Sequence, residues 1–238
     1  WNTTIDRVDQ IPHAVRSAFR AMTTGRPGAA HICLPYDVQK HTLDPAEVWA
    51  QPGHDRFPAY RSAPDPAAVA EAADLLVAAR SPVVICGGGV VIAGASAALD
   101  ALVTLLNAPV CTSVSGQGSL ADNHPLNVGV VGTNGGVDAT RAVVAQADLV
   151  LFIGCRAGST TTEHGQMPGR GVTILHIDVD AMTIGTNYRT DVAMVGDARL
   201  ALEALDVAVQ KIITKRPAEV SDGRALAARA RLEKLEFF

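Results

Sequence analysis

The sequence predicts an α/β fold: a doubly wound, mostly parallel, Rossmann-like sheet of about five or six strands with helices on both faces. Three observations carry that expectation. Between residues 66 and 210 short apolar runs alternate with stretches of helical periodicity, the pattern of successive βαβ units. Apolar residues make up 48% of the 238-residue chain and charged residues only 18%, a balance that suits strands buried on both faces. Glycine gathers where strand-to-helix turns are expected, in Gly87-Gly88-Gly89, Gly116-Gln117-Gly118, Gly132 to Gly136, Gly154 and Gly196.

Taken in order, Ile11, Val15, Ala18, Phe19 and Met22 recur at three- and four-residue steps and predict a helix over 9–24, stopped at Gly25. Arg26-Pro27-Gly28 predicts a turn, and residues 29–34 a short buried strand ended by Pro35. One helix and one strand cannot build a core. Residues 1–39 therefore read as the C-terminal end of a truncated domain whose larger part is upstream. Residues 40–66 hold Pro45, Pro52, Pro58, Pro64 and Pro66 with little apolar periodicity and predict a linker, ordered or semi-ordered. Residues 67–210 predict a central, nucleotide-binding-like domain. Its expected order is helix 67–79, strand 82–86, glycine turn, helix 96–106, strand 110–114, glycine-rich loop 116–136, helix 137–146 and strand 149–153. Strands 172–177 and 192–195 and a helix 198–209 complete it. Residues 211–238 read as a truncated connector, with a charged helix over 222–238.

Composition narrows the function. With 20 Lys+Arg against 24 Asp+Glu the net charge is −4, which excludes a polybasic nucleic-acid binder. Cys33, Cys86, Cys111 and Cys155 form no CxxC pair and read as buried small apolar residues of a reducing, cytoplasmic compartment. Residues 81–99 carry no charge and could span a bilayer on length alone. Pro82 and the three glycines interrupt that stretch, so a buried strand running into a turn is expected and no membrane partner. The chain starts at Trp1 without Met or a cationic leader, so no targeting signal is visible and a start inside a longer protein is expected.

In such a sheet ligands bind outside the C-terminal strand ends. Glycine there lets amides face an anion such as a pyrophosphate, which makes Gly87, Gly88, Gly132, Thr133, Asn134 and Gly154 candidate contacts for a small-molecule nucleotide. The alternative is that these are only tight turns. Arg156 follows the strand 149–153 directly and is a candidate phosphate contact. Asp178, near Asp180, is the first carboxylate at a strand end and a candidate for ribose hydroxyls; as a plain helix cap it would do nothing further. Thr112 and Asp197 complete the candidate set. His124 reads as a turn residue and His176 as a core or interface histidine. Ser115 and Ser119 lack a GxSxG context, so no hydrolase triad, no other catalytic residue and no metal site is expected. A GxGxxG fingerprint is only partly met after Gly87. Where a ribose-binding acid would follow the second strand stands Thr112-Ser113-Val114-Ser115.

One ordered set of motifs resembles a known family. Gly25-Arg26-Pro27-Gly28, His31 to Pro35 and Asp37-Val38-Gln39 resemble the end of the pyrimidine-binding domain of thiamine-diphosphate-dependent enzymes of the acetolactate-synthase-like superfamily. The resemblance continues through Pro82 to Gly89, Thr112 with Gly116-Gln117-Gly118, and Asn123-His124-Pro125-Leu126 with Gly129 and Gly132. It runs on through Ala147-Asp148-Leu149 with Gly154-Cys155-Arg156, and His176 to Asp180 with Gly196-Asp197. It implies a three-domain subunit that carries the central domain here. In the full-length parent, thiamine diphosphate and magnesium would be held by the other domains and not by this fragment. Gly196-Asp197-Ala198 is similar to the start of the magnesium motif, but no Asn follows Asn187. Central domains of the family bind FAD, ADP or CoA, or nothing. Ala157-Gly158 stand where acetolactate synthases carry two acids, a departure at the flavin position.

The expected parent is a carboligase or decarboxylase of 2-keto acids or related acyl donors. Its partners would be its own missing flanking domains and, as a homo-oligomer, further copies. An NAD-dependent oxidoreductase, a sirtuin-like deacylase and a ligand-free structural domain remain as alternatives.

Overall fold

The computed structural model describes residues 1–215 and 221–237. The chain divides into two units, Trp1–Arg61 and Ser62–Phe238.

In the first unit β1 (Asn2–Thr4) and β2 (His31–Cys33) pair in parallel on either side of α1 (Ile11–Thr23) in the chain, and β2, expected to be buried, is exposed at His31 and Cys33. Pro12 sits in the first turn of α1, where its missing N–H costs nothing. Ala14 and Ala18 are the buried positions of the apolar stripe, while Val15 and Phe19 face outward. The proline-rich segment expected as a linker is tied to this unit as far as Arg61. Ala59 N–H donates to Thr23 O at 2.9 Å, and the Arg16 guanidinium lies 3.8 Å over the Trp49 ring. Thr23 Oγ1 donates to Phe19 O and accepts from His54 Nδ1, each at 2.7 Å. Proline removes periodicity from a segment but leaves its side chains free to anchor it.

The second unit holds a six-stranded, all-parallel sheet in the order β5-β4-β3-β6-β7-β8. Its elements run α2 (Pro66–Ala78), β3 (Pro82–Cys86), α3 (Gly88–Ala93), α4 (Ser96–Leu106), β4 (Val110–Thr112), β5 (Asn127–Val130) and α5 (Asp138–Ala145). Then follow β6 (Leu149–Ile153), α6 (Ser159–Thr162), β7 (Thr173–Asp178), β8 (Val192–Val195), α7 (Ala198–Lys215) and α8 (Gly223–Phe237).

Every residue of β3 and β6 is buried, which is why these strands read as unbroken apolar runs. The pleat sends Val84, Cys86, Leu151 and Ile153 to one face, under Leu76 of α2, Leu102 of α4 and Leu205 of α7. Val83, Ile85, Val150 and Phe152 go to the other, under Val143 of α5 and Ala227 of α8. The uncharged stretch 81–99 is thus β3, the short α3 and the first turn of α4, and no described helix is long and apolar enough to cross a membrane. Three elements differ from expectation, the first being α6, which lies in the loop expected between strands 149–153 and 172–177. β5 lies inside the expected loop 116–136, and α3 begins inside the expected glycine turn.

Candidate functional site at the C-terminal sheet edge

Register decides which residues stand in one row at the edge of a parallel sheet. Cys86 pairs with Ile153, Ile153 with Ile177, and Asp178 with Val195. Gly87, Gly154 and Asp178 therefore stand side by side across the ends of β3, β6 and β7, and Gly196 lies one residue beyond Val195, the β8 residue of that row. Chain order reverses between β3 and β6, the place where an open α/β sheet binds ligands.

Close approach of backbones explains the glycines at that point. Gly87 N–H donates to Ile153 O at 2.9 Å and Gly89 N–H to Gly154 O at 3.1 Å. A Cβ on Gly87 would stand 2.1 Å from Gly154 O, one on Gly89 2.6 Å from the Gly154 Cα, and one on Gly116 2.1 Å from Cys86 O. Three turns are thus pressed together with no room for a side chain. Gly88 opens α3, and a Cβ there would meet Ser115 O at 3.2 Å.

A second contact spans the edge. Gly132 has φ +101°, and a Cβ on it would stand 2.1 Å from Thr160 O. Thr133 N–H donates to that carbonyl at 2.8 Å. Arg141 of α5 pairs with Glu163 and, at 2.6 Å, with Asp138. The loop after β5 is thereby stapled to the loop after β6, although β4 and β3 lie between those strands. Thr133 and Asn134 are exposed on this bridge, whereas Thr112 is buried at the end of β4 with its carbonyl taken by Val131 N–H.

Arg156 is exposed beside Gly154, and its own carbonyl accepts from Asn187 Nδ2 at 2.9 Å. Asp178 is 9% exposed; its Oδ1 accepts from Asp180 N–H at 2.9 Å. Asp197 caps α7, with Oδ1 accepting from Arg199 N–H at 3.1 Å and Leu200 N–H at 3.2 Å. His176 is buried with Nε2 donating to Cys155 O at 2.8 Å, so it pins the turn that carries Arg156. The fold therefore gathers Gly87, Gly88, Gly154, Arg156 and Asp178 at one stretch of edge, with Gly132, Thr133 and Asn134 on the adjoining bridge. Among the described residues no group of three or more His, Cys, Asp or Glu side chains is placed to hold a metal ion.

Sequence reasoning missed the bridge itself. Thr160, Glu163 and Arg141 carry no motif, and only the ordered glycines beside them mark where two loops meet. Two residues inside family-like motifs hold structure together elsewhere. Asp148 accepts from Arg80 N–H at 2.8 Å and Ser81 N–H at 3.0 Å, at the opposite edge where β3 starts. His124 Nδ1 accepts from Leu126 N–H at 3.2 Å, and its Nε2 lies 3.1 Å from Asp100 of α4.

Residues 69–205 match the family described as thiamine pyrophosphate enzyme, central domain. The chain is 38% identical over 223 residues to a probable acetolactate synthase large subunit of Methanococcus aeolicus, covering 93% of this chain and 37% of that protein. It is 31% identical over 210 residues to the glyoxylate carboligase of Escherichia coli O157:H7, covering 88% of this chain and 35% of that one. In fold it is similar to the benzoylformate decarboxylase of Polynucleobacter necessarius, with a TM-score of 0.73 at 22% identity, over 87% of this chain and 38% of the other. The chain spans a little over a third of the length of these relatives. By the match over most of its second unit, this chain belongs to the family of thiamine pyrophosphate enzyme central domains.

Proposed function

We propose that the chain is the central scaffold of a carboligase or decarboxylase that uses thiamine diphosphate and acts on a 2-keto acid or related acyl donor. The observation that carries the reading is the central-domain match over residues 69–205, supported by relatives named for acetolactate synthesis and glyoxylate carboligation. When bound with magnesium, thiamine diphosphate supplies the nucleophilic carbon for such chemistry. On this reading the residues that hold it belong to other parts of the parent enzyme.

This chain's own residues fit a nucleotide, with FAD, ADP and CoA as the candidate ligands. A pyrophosphate needs positive charge, and because Gly87 and Gly89 N–H already donate to the β6 turn, that charge comes from Arg156. Among the described residues the Arg156 guanidinium has no hydrogen-bond or ion-pair partner. Asp178, held in place by Asp180 N–H, faces ribose hydroxyls, and Thr133 and Asn134 border the ligand on the bridge.

Calorimetry with FAD, ADP and CoA tests the reading, together with mass spectrometry of what the purified protein releases on denaturation. Arg156→Ala and Asp178→Asn each remove one charge-assisted bond and should weaken the bound nucleotide by about ten- to a hundredfold. Arg224→Ala, on α8, should leave it unchanged. Equal affinity in all three, or no binding of any of the three compounds, would leave the glycines as packing devices and the domain as scaffold alone.

A further inference from the structure

A cavity of about 710 Å³ opens at the other end of the sheet. Its wall includes Thr173 and Ile174, the first residues of β7, and Asp191, just before β8. The six residues of β7 put roughly 17 Å between this wall and the edge that carries Asp178. The volume suits a small metabolite.

The glycines here differ from those at the C-terminal edge. A Cβ on Gly165, Gly169 or Gly171 would meet nothing within 4 Å, whereas at Gly87, Gly89, Gly116 and Gly132 it would strike backbone. Turn geometry accounts for Gly165 and Gly171, with φ of +80° and +85°; Gly169 needs neither packing nor a positive φ. Glycine at these points leaves the wall open.

Two arginines, Arg170 and Arg189, both exposed, line the same space. Neither has a hydrogen-bond or ion-pair partner among the described residues, in a protein whose net charge is −4. The carboxylate on the wall, Asp191, has Oδ2 occupied by Ile174 N–H at 2.8 Å. The Tyr188 hydroxyl donates to Met167 O at 2.8 Å, which leaves its ring as an apolar side of the cavity.

We propose that this cavity binds a small phosphate-bearing metabolite, with Arg170 and Arg189 as its two anion contacts. Each guanidinium offers a planar fork of N–H donors to the oxygens of a phosphoryl group, which a lysine or a lone amide does not supply. The site is separate from the nucleotide edge and does not rest on it.

The test uses pyrophosphate as the probe and calorimetry on the whole chain carrying Arg156→Ala, so that the phosphate contact at the C-terminal edge is removed. Saturable binding should persist in that background. Adding Arg170→Ala or Arg189→Ala should weaken it by about tenfold or more each. Gly169→Leu keeps both arginines and fills the open wall without backbone strain, and should weaken it as well, with an unchanged circular-dichroism spectrum showing that the fold is intact. No saturable binding in the Arg156→Ala chain, or an affinity indifferent to both arginine substitutions, would overturn the proposal.

Discussion

His176 is 3% exposed, lies on β7 beside Phe152 and donates through Nε2 to the Cys155 carbonyl. Burial pushes its pKa below the ordinary 6.5, against the smaller opposing effects of that bond and of Asp178. The folded chain thus binds fewer protons at this ring than the unfolded chain does, so the contribution of His176 is full above pH 6.5 and is lost as pH falls through the lowered value. His176→Gln keeps an N–H donor without titrating. Urea unfolding of the two proteins between pH 5 and 7.5 should show the wild type losing more stability on acidification, and parallel curves would refute the assignment. The thiols follow the same physics. Burial raises Cys86 and Cys155 and pushes Cys111 up to about 12, whereas Cys33, expected to be buried like the others, is exposed on β2. A thiol reagent at pH 8 should therefore label one cysteine per native chain and four after denaturation.

At the scale of elements, a methyl group distinguishes glycines that the sequence alone cannot. Gly89→Ala puts a carbon where the Gly154 Cα stands 2.6 Å away and should cost about 2 to 3 kcal/mol, as overpacking does. Gly158→Ala meets nothing within 4 Å and should change stability by less than about 0.5 kcal/mol. Equal melting temperatures for the two variants would contradict the packing described for the β3 and β6 turns. Long apolar elements were legible in the sequence: the strands 82–86 and 149–153 and the helix 96–106 coincide with β3, β6 and α4. β5 was not legible, because four residues interrupted by Gly129 at φ +106° offer no period to count. Nor was α3, whose first two residues are glycines that weaken any helical pattern. α7 continues to Lys215 because Ile212 and Ile213 extend its packed face beyond the expected end at Val209. The candidate site was legible as a row of turns at one sheet edge, since glycine and topology share that position. The capping role of Asp197 and the distant anchoring role of Asp148 were not, because a carboxylate in a motif looks the same whether it serves a ligand or two backbone amides.

For the molecule as a whole, the proposed reading separates scaffold from chemistry. Incubated with thiamine diphosphate, magnesium and pyruvate, this chain alone should show no turnover and no micromolar calorimetric signal for the cofactor. Turnover above background would place catalytic groups within it and overturn the assignment. The arrangement of the second unit also bears on how a ribosome can deliver it. Strands β3, β4 and β5 are made first, yet the layers around them are completed only by α7, which packs on α2 and α4, and by α8, which packs on α5 and β5. Both helices come after β8. At about 5 to 20 residues per second, the nascent half-sheet therefore waits several seconds with only α2, α4 and α5 to cover it, a window in which a chaperone can keep the still incomplete faces from pairing with a neighbour.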